Sequence, residues 1–76
     1  MTTDEWKRIF ASRLRNAIES SGMEKQEIAE LANVSPSSIS QYLNCSQVPS
    51  ATAVTSLARV LKVDVEYLVD FEEVIN

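Results

Sequence analysis

Apolar side chains recur along this chain at three- and four-residue spacing, and each recurrence is bounded by residues that start or stop helices. Trp6, Ile9/Phe10, Leu14 and Ala17/Ile18 form one stripe of a helix over about 4–21. Thr2 followed by Glu5 has the form of a capping box, and Gly22 supplies a stop. Ile28, Ala29, Leu31 and Ala32 suit a second helix over 24–32 that packs through a narrow face, with Glu27 well placed in its first turn. Ile39, Tyr42 and Leu43 define a third over 36–44. Val54, Leu57/Ala58 and Leu61 mark a fourth over 51–62, capped by Ser50. Asp64 is positioned to cap a last helix over 65–70 that buries Val65 and Leu68, with Tyr67 a third candidate for burial. Residues 71–76 form a tail that either frays or docks through Phe71, Val74 and Ile75. The pattern predicts one all-α domain over 1–76, a compact five-helix bundle.

The junction between the second and third helices carries the most information. Asn33 tolerates the left-handed conformation a tight interhelical turn needs. Ser35 can cap a new helix, and Pro36 fits its first position, where no amide hydrogen is required. Two short helices joined in this way form a supersecondary unit that reads DNA. At about 100° per residue, Ile39, Tyr42 and Leu43 cluster on one side of the third helix. Ser37, Gln41 and Asn44 lie opposite, with Ser38 and Ser40 on the flanks. Gln41 can bond bidentately to N6 and N7 of adenine, Ser37 can donate to or accept from several bases, and Pro36 suits only a thymine methyl. The plainer alternative is a polar helix face that meets nothing but water.

Charge changes the picture in two ways. No charged side chain occurs between Leu31 and Ala58, so this unit must meet DNA mainly through neutral hydrogen-bonding groups. The net charge of −4 argues against a nucleic-acid partner, because such domains usually carry a basic footprint. Its distribution softens the objection. Residues 1–63 hold seven basic and six acidic side chains, a balance of +1, whereas Asp64, Glu66, Asp70, Glu72 and Glu73 crowd the last thirteen residues. With one Cys and no His, no disulfide within the chain, zinc site or cofactor is expected, and no histidine base or Gly-rich phosphate loop suggests catalysis. Apolar runs too short for a bilayer and an opening Met-Thr-Thr-Asp-Glu without signal character predict a cytoplasmic protein with no membrane partner.

Over residues 10–70 the chain resembles the lambda-repressor-like (Cro/cI, or XRE) DNA-binding family. The resemblance is carried by EIAELANVSPSSISQYLN and by the later LARVLKVDVEYL, with Pro49 between them. It implies a five-helix domain that binds a palindromic operator in double-stranded DNA as a homodimer, with the third helix in the major groove. By matching positions it implies base reading by Pro36, Ser37 and Gln41. Backbone or flanking contacts would fall to Lys25, Asn44 and the loop Ser46–Gln47, with Ser38 and Ser40 beside them. The departures from the family pattern are specific. Asn33 stands where Gly is common, Glu24 where a capping Thr is common, and Cys45 where Gly often follows the third helix. Ile18 and Leu43 replace a buried Arg–Glu pair together, which leaves no unpaired charge and predicts that the two touch.

Several residues keep two readings. Lys25 at a helix start opposes the macrodipole by roughly a few tenths of a kcal/mol, so it either meets a phosphate or is simply exposed. Arg13 and Arg15 either reach phosphates or are solvated. Cys45 is a small loop residue with little to activate its thiol. Trp6 and Phe10 belong to the core, and Trp6 can also meet Val74 and Ile75 or a second subunit. The chain is thus expected to be a sequence-specific transcriptional regulator, a phage or bacterial repressor or Cro-like protein without catalytic activity or a small-molecule ligand. The alternative is a protein-interaction module on the same fold, such as an antitoxin, co-regulator or anti-repressor.

Overall fold

The computed structural model describes residues 1–69, and the tail expected at 71–76 lies outside them, as does Asp70. Among the described residues there are five helices and no strand: α1 (Thr3–Ser21), α2 (Lys25–Ala32), α3 (Pro36–Leu43), α4 (Ala51–Leu61) and α5 (Val65–Val69). The capping box forms at α1. Thr2 Oγ1 accepts from the Glu5 amide at 3.1 Å, and the Glu5 carboxylate accepts from the Thr2 amide at 3.2 Å. Those donations, first from the Thr2 backbone and then from its hydroxyl, hold the Glu5 carboxyl below its ordinary pKa.

Backbone handedness ends four of the helices. Gly22, Asn33, Cys45 and Lys62 all have positive φ, at 70°, 58°, 66° and 60°. Behind Asn33 the Val34 amide returns to the Ala29 carbonyl at 3.0 Å, and behind Lys62 the Val63 amide returns to Ala58 at 3.0 Å. Cys45 takes this conformation where the family often has Gly, and the Ser46 amide closes onto the Gln41 carbonyl at 2.9 Å. α3 therefore stops at Leu43, with Asn44 as its cap at φ −97°, outside the helix expected to reach it. Ser35 and Ser50 cap α3 and α4 through the Ser38 and Ala53 amides, each at 3.1 Å. Glu24 makes no side-chain cap, and α2 begins one residue later than expected.

The helices share a single core. Phe10, Leu14, Ile28, Ile39, Leu57 and Leu68 are its largest fully buried side chains, one or two from every helix. α1 packs on α3 and α5, while α2 packs on α3 and α4. Trp6 stacks on Phe10 with ring centroids 5.2 Å apart, and Phe10 meets Tyr42 edge-on at 6.1 Å, so an aromatic path joins α1 to the inner face of α3.

Two apolar positions depart from the pattern: Tyr67 lies at the surface, and so does Leu31. Leu31 is 63% exposed, because Ile28, Ala29 and Ala32 already fill the buried face of an eight-residue helix. Leu31→Ala is accordingly expected to change stability by no more than about 0.5 kcal/mol, whereas Ile28→Ala costs about 2–5 kcal/mol. Urea denaturation of the two variants checks this; equal losses would contradict the packing described.

Candidate nucleic-acid interface

α3 is anchored along one side and open along the other. Ile39 and Tyr42 are buried and Leu43 is half-buried against the core. Pro36, Ser37, Ser40, Gln41 and Asn44 are exposed, and Ser38 is half-buried. Lys25, Ser46 and Gln47 are exposed as well. The three residues expected to read bases therefore stand on the outer face of one helix.

Local hydrogen bonding holds the two ends of that face. Ser35 Oγ accepts from the Ser38 amide and lies 2.8 Å from Ser38 Oγ and 3.2 Å from Ser37 Oγ, so three hydroxyls cluster at the helix start. At the other end Asn44 Oδ1 accepts from the Ser46 amide at 3.1 Å and from the Ser46 hydroxyl. Asn44 and Ser46, two of the expected flanking contacts, are thus braced against each other. The acceptor of the Asn44 amide is occupied, and its two N–H donors have no partner among these bonds.

A cleft of about 450 Å³ runs beside α3, lined by Arg15, Ile18, Glu19, Lys25, Ser40, Leu43 and Asn44. It brings Lys25, Ser40 and Asn44 together from two helices. It also places Ile18 and Leu43 in one lining, both half-buried against the core, where the family pattern has its ion pair. Arg15 Nη2 donates to the Leu43 carbonyl at 3.2 Å, a cation at the carbonyl end of α3. Arg13 Nη1 donates to the Tyr67 carbonyl at 2.8 Å, and its guanidinium lies 5.5 Å from the Tyr67 ring centroid. Neither arginine is merely solvated: one ties α1 to α3, the other ties α1 to α5.

The neutral polar surface continues past the residues that sequence reasoning singled out. Asn33 and Ser38 share a shallow cleft of about 230 Å³ with Ser50, Thr52 and Ser56. These three belong to α4 and its cap. The uncharged run to Ala58 was the available signal for them, but only the packing of α4 beside the turn brings them next to α3. Among the described residues no His, Cys, Asp or Glu cluster suits a metal ion, and no helix is long and apolar enough to cross a membrane.

Residues 9–70 match the family model described as a helix-turn-helix domain, in agreement with the lambda-repressor-like resemblance. No curated protein matches the chain.

Proposed function

We infer that this chain, which belongs to the helix-turn-helix domain family, is a sequence-specific regulator that binds operator DNA as a homodimer, with α3 in the major groove and no catalytic role. The observation that carries the reading is the two-sidedness of α3. Its apolar side is fixed to the core, so Ser37 and Gln41 are held outward on a rigid rod and not on a loop. Base reading belongs to Pro36, Ser37 and Gln41. Phosphate and flanking contacts belong to Lys25, Ser38, Ser40, Asn44, Ser46 and Gln47. Few cations adjoin α3, which leaves backbone amides, hydroxyls and the Asn44 amide to hold the phosphates. The role that goes with this reading is that of a repressor or Cro-like switch working in the cytoplasm.

Gln41→Ala tests the assignment. Selection from random duplexes is expected to yield a palindrome for the unmodified chain. The variant should lose about 1–3 kcal/mol at one base pair of each half-site and relax its preference there. Unchanged preference at every position removes Gln41 from base reading.

A protein-interaction role has one specific observation in its favour. Leu31 projects from a face of α2 that also carries the exposed Glu27 and Glu30, within a chain of net charge −4. Failure to enrich any duplex would move the assignment to that reading.

A further inference from the structure

We propose that Arg15 is a positioning residue for DNA binding: from α1 it fixes the backbone at Asn44 and so aims the Asn44 amide at a phosphate. The inference rests on the DNA reading given above. It deepens that reading by naming a residue outside the recognition helix on which a flanking contact depends.

An α-helix ends in carbonyls that have no partner within it. At the end of α3 the chain closes two of them itself. The Ser46 amide returns to the Gln41 carbonyl at 2.9 Å, and the Cys45 amide to the Tyr42 carbonyl at 3.3 Å. The Leu43 carbonyl is taken by α1 instead, through Arg15 Nη2 at 3.2 Å. α3 has no basic residue in its own last turn, so Arg15 also supplies the cation that this end of the helix dipole favours.

The Leu43 carbonyl and the Asn44 amide belong to one rigid peptide plane. Arg15 holds that plane at its oxygen, and the Ser40 carbonyl holds it at its nitrogen, at 3.0 Å. Cys45, the next residue, is tied to α1 as well, because its Sγ donates to the Lys7 carbonyl at 3.8 Å. Lys7 and Arg15 stand about 12 Å apart along α1, at 1.5 Å per residue. Two separated points on one long helix thus grip the residues on either side of Asn44. That residue is the one with donors to offer. Its Oδ1 accepts from Ser46, which leaves the two N–H groups of the amide for another acceptor. Asn44 shares the cleft beside α3 with Lys25, so an amide donor and an ammonium line one hollow that suits a single phosphate. Arg15 contributes the placement of that amide, not a charge of its own at the phosphate.

A double-mutant cycle on the full chain tests the proposal, read as affinity for the selected palindrome. Arg15→Ala should weaken binding about tenfold or more, Asn44→Ala by a similar factor, and the double variant little more than either alone. Arg8→Ala, which removes the same charge from an exposed position on α1, should weaken it less. Additive losses, or a loss no larger than that of Arg8→Ala, overturn the proposal. Thermal unfolding of Arg15→Ala should stay within a few degrees of the unmodified chain, because the bond lies at the surface. A large fall means a plain structural role and overturns it too. The salt slope separates placement from direct contact. It should not change in Arg15→Ala, whereas a slope shallower by about 2 per dimer means that Arg15 itself meets phosphate, which overturns the proposal.

Hydrogen exchange of the free protein supplies a readout without DNA. The Ser46 amide bonds both to the Gln41 carbonyl and to Asn44 Oδ1, so it should exchange about tenfold faster in Arg15→Ala. Unchanged exchange overturns the proposal. If exchange quickens but the unmodified chain binds no duplex, Arg15 still positions Asn44 and the DNA reading alone fails.

Discussion

Ile39→Ala should cost this domain about 2–5 kcal/mol, the range for removing buried methylene groups from a core that relaxes only partly. Ile39 has no exposed surface and is the residue of α3 most fully enclosed by the core. For a chain of this length the total stability is of order 4–11 kcal/mol, at about 0.05–0.15 kcal/mol per residue. The loss is therefore about a fifth of that total at the least, and it can approach the whole. Thermal unfolding should shift downward by roughly 8–40 °C, at about 4–8 °C per kcal/mol for a domain this small. Ser37→Ala, on the opposite side of the same helix, should stay within about 0.5 kcal/mol of the unmodified protein. The contrast is what matters. If Ile39→Ala unfolds at the same temperature as Ser37→Ala, the outer and inner faces of α3 have been exchanged.

The second large effect concerns salt, and here the structure narrows what composition allows. Arg15 and Lys25 line the cleft beside α3, and Arg15 already donates to the Leu43 carbonyl. Arg13 is engaged with Tyr67. With two or three cations per subunit displacing counterions, log affinity should fall against log salt with a slope of roughly −3 to −5 per dimer. Between about 50 and 200 mM salt, affinity then drops roughly 60- to 1,000-fold. A slope near −10 would mean that many more lysines and arginines reach phosphate than this surface offers. Fluorescence anisotropy on the selected palindrome measures it directly.

The residues differ in how openly they declare their roles. Asn33, Ser35, Pro36 and Ser50 act through their own backbone torsion or through an amide three residues away. Their effects are local, so the turn and the helix starts can be read from the letters alone. Ile39 and Tyr42 are legible for a related reason: helical period fixes which residues share a side. Leu31 shows where period fails. On an eight-residue helix, an apolar residue beside the stripe looks like part of it until the neighbouring helices are in place. Arg13 and Arg15 were illegible because a long side chain finds its acceptor across the fold. Their carbonyl partners lie 54 and 28 residues away. The neutral surface contributed by α4 is of the same kind, assembled by packing and not by sequence neighbours.

The left-handed residues that end the helices also bear on how quickly this molecule assembles. Three of the four connections, 22–24, 33–35 and 62–64, are only three residues long. Of the successive pairs, α2–α3 and α4–α5 therefore pack together after short loop closures, while α1 reaches α3 and α5 across longer stretches of chain. Helical domains dominated by such local encounters fold in about microseconds to milliseconds. The α2–α3 pair, which carries the proposed recognition face, is thus one of the units able to re-form earliest.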